Sequence, residues 1–173
     1  ARPQKKNALT VEMYQAMADA LAAAREDAAV RAVLIGGQPG IFTSGNDLED
    51  FMRRPRQGED SPVLRFMRAL VDCDKPVVAA VTGAAIGIGT TMLLHCDFVY
   101  VADDARLAMP FVSLGLVPEF ASSLAVPALM GHRRAAEKLL LGDPFSAETA
   151  VECGIANAVL PAGEVMAHAR RMA

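Results

Sequence analysis

The chain has 173 residues, about one domain's worth, of which 53% are hydrophobic and 21% charged, and 17 basic against 20 acidic side chains leave a formal charge of -3. That balance excludes a disordered polyelectrolyte and a basic nucleic-acid binder, and two tyrosines, seven phenylalanines and no tryptophan argue against a base-stacking platform. Cys73, Cys96 and Cys153 are odd in number, far apart and without ligand spacing, so a reducing compartment is expected, with no disulfide scaffold and no metal site.

Thr10 is a plausible N-cap for a helix to about Arg25, with Met13, Met17, Leu21 and Ala24 at helical spacing. Residues 30–35 read as a buried strand broken by Gly36-Gly37 and Pro39-Gly40, residues 42–47 as a loop, and residues 48–53 as a short helix ending before Pro55. Residues 53–62 are charged and proline-bearing, which predicts a mobile segment. Leu64, Met67, Leu70 and Val71 give the next helical face, and Pro76 opens a strand over 77–82.

Residues 76–96 carry no formal charge and are numerous enough to span a bilayer, yet Gly83, Gly87, Gly89 and three threonines sit among them. The run therefore reads as a buried strand handing over to a helix at residues 90–95, not as a membrane span. Strands are predicted at 98–101 and near Leu107. Helices follow within 118–130 and over 133–141, and a third is capped by Ser146 and ended by Gly154. A strand over 155–160 and a helix over 164–173 complete an alternating pattern whose β-branched strands argue for an α/β layered fold. No signal peptide is visible. The chain starts on Ala1 without a methionine and stops inside a predicted helix, so both ends are expected to be trimmed.

Two strand-to-helix turns carry free-amide character. In the run Gly83 to Gly89 the backbone N–H groups can face an anion, or the glycines can simply permit tight packing; a P-loop lysine and the G-x-G-x-x-G spacing are both missing. The turn Ser44-Gly45-Asn46-Asp47 offers either an ordinary N-cap or a second amide, and two such amides are what an oxyanion hole requires. Glu119, behind Leu114-Gly115-Leu116-Val117-Pro118, is either a helix N-terminal acid or a desolvated general base with a raised pKa. His95 and Cys96 read as packing residues because no G-x-S-x-G elbow is present; His132 and His168 read as surface residues.

Arg2-Pro3 with Asn7-Ala8-Leu9, the stretch from Phe42 to Leu48, Lys75-Pro76 through Gly89, Cys96-Asp97, and Gly142 to Gly154, taken in order across the whole chain, resemble the crotonase superfamily of enoyl-CoA hydratases/isomerases. Lys5-Lys6-Asn7, Ser44 to Leu48, and Pro118-Glu119 before Ser122-Ser123 look most like the peroxisomal-type Δ3,Δ2-enoyl-CoA isomerases. The resemblance implies one α/β domain over 1–173 built of stacked ββα units, with the family's C-terminal helices missing from this window. It implies a homotrimer or dimer of trimers, an acyl-CoA thioester as partner, neither nucleic acid nor membrane, and no cofactor beyond the coenzyme A of the substrate. It places the oxyanion amides on Asn46 and Ile88, the base on Glu119, and the CoA along Lys5, Lys6, Asp47 and Leu48.

The hydratase branch's two glutamates fall on Thr91 and Phe111, neither able to exchange a proton at neutral pH. The expected reaction is therefore the shift of 3-enoyl-CoA to 2-trans-enoyl-CoA by one carboxylate, in a bacterial cytoplasm or a peroxisome. A hydratase or another acyl-CoA reaction, and a non-catalytic acyl-CoA-binding subunit, are the alternatives. Phe120, where a small glycine is common, is expected to narrow the acyl pocket or change its preferred chain length, and Thr82 replaces a frequent asparagine.

Overall fold

A computed structural model of the chain describes residues 1–53, 58 and 60–173. The segment expected to be mobile, 53–62, lies partly outside the described residues. Among the described residues, eight strands form two four-stranded sheets: β1 (Val33–Gly36), β2 (Ile41–Thr43), β3 (Val77–Val81), β4 (Ala84–Ile86), β5 (Phe98–Ala102), β6 (Arg106–Ala108), β7 (Phe145–Ser146) and β8 (Ala158–Leu160). One sheet runs β1-β3-β5-β8 with all neighbours parallel. The other runs β2-β4-β6-β7 and is parallel except for β6 against β7.

From β1 to β6 consecutive strands thus go to different sheets, whereas β7 stays beside β6 in the second. β1 and β2, β3 and β4, and β5 and β6 each turn a corner between the layers, and a helical segment leads back, because parallel neighbours need a crossover and not a hairpin. The corner between β3 and β4 is Gly83, at φ +61°, where an added Cβ would stand 1.8 Å from the Gly40 carbonyl oxygen of the preceding unit. Only glycine fits that corner.

The centre of the core is β3, whose Val77, Val78, Ala79, Ala80 and Val81 are all buried, as expected of a parallel strand covered on both faces. Helix α1 (Val11–Glu26) is capped at Thr10, whose hydroxyl accepts from Met13 N, and it packs on α3 (Pro62–Val71). α2 is Leu48–Arg53 and α4 is Ile88–Thr91, the latter continued by a 3-10 turn over Met92–His95. α5 (Ser122–Met130), α6 (His132–Ala136, widening into a π turn over Glu137–Leu141), α7 (Ala147–Glu152) and α8 (Val165–Met172) follow, with α8 packed on β1, β3 and β5. The charge-free run forms β3, β4 and α4, and among the described residues no helix is long and apolar enough to cross a membrane.

Several sequence expectations are corrected. The segment read as a loop from Phe42 begins inside β2, and β4 and β7 are strands that no pattern announced, since two or three residues are too few to show alternation. The buried face of α1 is Tyr14, Ala18 and Leu21, with Met13 and Met17 at its border. In α3 the buried residues are Phe66, Met67 and Leu70, whereas Val71 is 57% exposed.

Candidate active site

β2, β4 and β6 are adjacent and parallel, so the turns leaving their carboxyl ends lie side by side, the usual place for a ligand in such sheets. A cavity of about 570 Å³ opens there, walled by Ser44 to Glu49, Ile86 to Ile88, Pro110-Phe111 and Glu119 among others. Its apolar side is Phe51, Met52, Leu114 and Leu116.

The first turn is held against the N-terminal segment by a bridge in which Leu9 N donates to Gly45 O at 2.8 Å and Asp47 N donates to Leu9 O at 2.9 Å. Strand stereochemistry then directs Asn46's own N–H away from Leu9. In the second turn Gly87, at φ +58° and ψ -117°, precedes the first residue of α4, Ile88, whose N–H has no acceptor within its own helix. Gly87 N donates to Ala108 O at 2.8 Å, and the buried Thr90 hydroxyl donates to Ala85 O at 2.6 Å and accepts from Ala108 N at 3.2 Å, which ties the turn to β4 and β6. The two turns touch: a Cβ on Gly45 would stand 2.9 Å from Ile86 O.

The third turn carries Glu119. Its carbonyl accepts from Ser122 N at 3.1 Å and from Ser122 Oγ at 2.6 Å, and the next two residues, Phe120 and Ala121, are left-handed at φ +56° and +54°. Phe120 does not wall the cavity. Its ring lies inward against Phe66 and His95, so the expected narrowing of the acyl pocket is not its effect.

Among the cavity's acids, Asp47 is committed elsewhere. It pairs with Arg2 at 2.7 Å and accepts from Glu49 N and Asp50 N at the start of α2. The Arg2 guanidinium and then the Asp50 amide hold its carboxyl below the ordinary carboxylate value. Glu49 is 66% exposed and stands 3.9 Å from Lys5 Nζ. Glu119 is the remaining acid of the wall, and its charge reaches Tyr14, whose phenol is pushed well up, first by burial and then by Glu119.

Of the residues singled out in the sequence, Asn46, Ile88, Glu119, Lys5, Asp47 and Leu48 all line this cavity. Lys6 does not: it is exposed at φ +50°, and its carbonyl accepts from Ser44 N at 3.1 Å, so it supports the first turn from behind. Phe111 forms part of the wall. Thr91 is fully buried, and its hydroxyl has no partner among the described residues. Thr82 Oγ1 donates to Gln38 O at 3.1 Å, away from the cavity wall. Among the described residues no group of His, Cys, Asp and Glu is placed to hold a metal. The sequence reading missed Tyr14, whose hydroxyl donates to Asn46 Oδ1 from inside the core. Its signal was a tyrosine on a helix's apolar stripe, since a buried phenol needs a polar partner.

A family model for enoyl-CoA hydratases/isomerases matches residues 1–173. The rat enoyl-CoA delta isomerase 2 is 40% identical over 166 residues, 92% of this chain and 42% of that protein. The solved structure of Pseudomonas aeruginosa OdaA is 57% identical with a TM-score of 0.96, over 99% of this chain and 70% of that one. An enoyl-CoA hydratase/isomerase from Pseudoalteromonas atlantica T6c is 42% identical with a TM-score of 0.96, over 100% of this chain and 69% of that one. The chain therefore spans less than half of the curated isomerase and about seven tenths of the solved neighbours.

Proposed function

The chain belongs to the enoyl-CoA hydratase/isomerase family, with the crotonase fold, and from that membership we propose that it binds an acyl-CoA thioester and moves the double bond of 3-enoyl-CoA to 2-trans-enoyl-CoA. The observation that carries the reading is the placing of the Glu119 carboxyl in the wall of one cavity with the turns of Asn46 and Ile88. In this reading the thioester oxygen accepts from the amides of Asn46 and Ile88, which acidifies the C2 proton. Glu119 takes that proton, the electron pair spreads over the oxygen, C2 and C4, and the same carboxyl returns the proton at C4, leaving the double bond between C2 and C3. One acid serves both transfers. Preorganised donors of this kind are worth about 3–4 kcal/mol each to the transition state.

Support against hydration comes from Thr91 and Phe111, the positions on which the family resemblance places the hydratases' two glutamates, since neither carries a carboxyl. Lys5 at the rim suits a CoA phosphate, and Asp47 and Leu48 would contribute as wall, the Asp47 carboxylate being occupied by Arg2. Coenzyme A enters as part of the substrate. Leu124 and Val117, each 75% exposed, and Leu140 and Leu141, each 62% exposed, are apolar surface that a homotrimer or further chain would cover.

The test is incubation with 3-enoyl-CoA while following the absorbance of the conjugated product. The wild type is expected to form 2-enoyl-CoA, and Glu119→Gln to lose that activity while still binding CoA thioesters. Unchanged turnover by Glu119→Gln would remove the assigned base. Faster conversion of 2-enoyl-CoA to 3-hydroxyacyl-CoA would move the protein to the hydratases, and binding without turnover would make it a carrier.

A further inference from the structure

Between the Asn46 turn and the Glu119 turn the interior is a row of rings. Tyr14 lies 5.6 Å from Phe66, centroid to centroid, and Phe66 lies 6.3 Å edge-on from Phe120, the residue that follows Glu119. Tyr14 is 1% exposed, Phe66 is fully buried and Phe120 is 8% exposed. At the near end of the row the Tyr14 hydroxyl donates to Asn46 Oδ1, not to a main-chain carbonyl. A buried phenol can be satisfied by any acceptor, and here the acceptor is the side chain of a residue that lines the cavity.

We propose that Tyr14 is a positioning residue: its hydroxyl clamps the Asn46 carboxamide, and the Tyr14–Phe66–Phe120 row sets the spacing between the Asn46 amide and the Glu119 carboxyl. The inference rests on the isomerase reading for its effect on turnover, though not for the geometry. Burial and the Glu119 charge both push the Tyr14 phenol well above its ordinary value, so the group stays a donor throughout the working range. With the carboxamide oxygen held by Tyr14, the Asn46 side chain is kept in one orientation beside its own main-chain amide. Without the hydroxyl it rotates freely, and a small displacement of a reacting group is costly in rate.

The experiment uses Tyr14→Phe, which keeps the ring and removes only the oxygen, together with Asn46→Ala and the double variant. Tyr14→Phe is expected to lower kcat by about 10- to 100-fold with KM nearly unchanged, and to add nothing in the Asn46→Ala background, because the hydroxyl acts through that side chain. Additive losses, or an unchanged kcat in an active wild type, would overturn the proposal. A crystal structure of Tyr14→Phe gives a readout independent of turnover. The Asn46 carboxamide is expected to leave its wild-type rotamer, and an unmoved, ordered side chain would sink the clamp. An inactive wild type with a displaced Asn46 in the variant would instead defeat the isomerase reading and leave the clamp standing.

Discussion

The imidazole of His95 stacks on the ring of Phe120, with centroids 4.0 Å apart and planes 25° from parallel, while His95 Nε2 lies 2.8 Å from the Phe120 carbonyl oxygen. One side chain thus grips both the ring and the main chain of the residue beside Glu119. This explains how two successive non-glycine residues persist in the left-handed region: the surrounding core over-determines them.

Phe120→Gly sets two effects against each other. Relief of the left-handed φ is worth roughly 1–2 kcal/mol, whereas deleting a buried phenylalanine ring costs about 3–5 kcal/mol. Packing wins, and the variant is expected to be about 1–4 kcal/mol less stable. Urea unfolding should show a lower midpoint at constant slope, and a higher midpoint would mean that strain dominates.

Gly87→Ala and Gly83→Ala separate conformational from steric cost. At Gly87 an added Cβ meets nothing within 4 Å, so the penalty is that of φ +58° and ψ -117° alone, about 1–3 kcal/mol. Because Ile88 follows, the proposed isomerisation should lose kcat more than KM. Gly83→Ala adds a carbonyl contact of 1.8 Å to the same kind of strain and is expected to give little folded protein. Thermal unfolding of both checks the order, which fails if Gly83→Ala melts higher.

The Arg2–Asp47 pair predicts an acid-side loss of stability. The folded carboxyl of Asp47 is held below its unfolded value, first by the Arg2 hydrogen bond. Its contribution is therefore fully present above the unfolded pKa and disappears as pH falls through the lowered folded one. Asp47→Asn should flatten that part of the stability profile below about pH 4. An identical profile in wild type and variant would show that the pair contributes nothing.

Thr91→Val should stabilise. The hydroxyl is fully buried and has no partner among the described residues, and an unsatisfied buried polar group costs about 1–3 kcal/mol, so the apolar isostere is expected to raise the melting temperature. The activity proposed above should be retained. A large loss of activity would mean that Thr91 takes part in the reaction.

The layered α/β class was legible in the β-branched run of β3 and in the glycine punctuation, and the caps at Thr10 and Ser146 were legible as hydroxyls before helical patterns. The short strands β2, β4 and β7 were not, since their identity comes from neighbours far along the chain. Phe120 was misjudged for a related reason: a residue type announces its size, whereas the left-handed φ that turns this ring inward is imposed by His95 and Phe66.

For the site, the sequence alone determined which groups are available: a carboxyl at Glu119, glycine-bounded turns at Asn46 and Ile88, and no second acid at Thr91 or Phe111. Their convergence was decided only by tertiary structure, because pairing of β2, β4 and β6 brings three distant turns to one edge. The commitment of Asp47 to Arg2 and of Tyr14 to Asn46 was decided there too. Local patterns record what a residue can donate, accept or bury; which partner it meets depends on contacts across tens of residues that no short window contains.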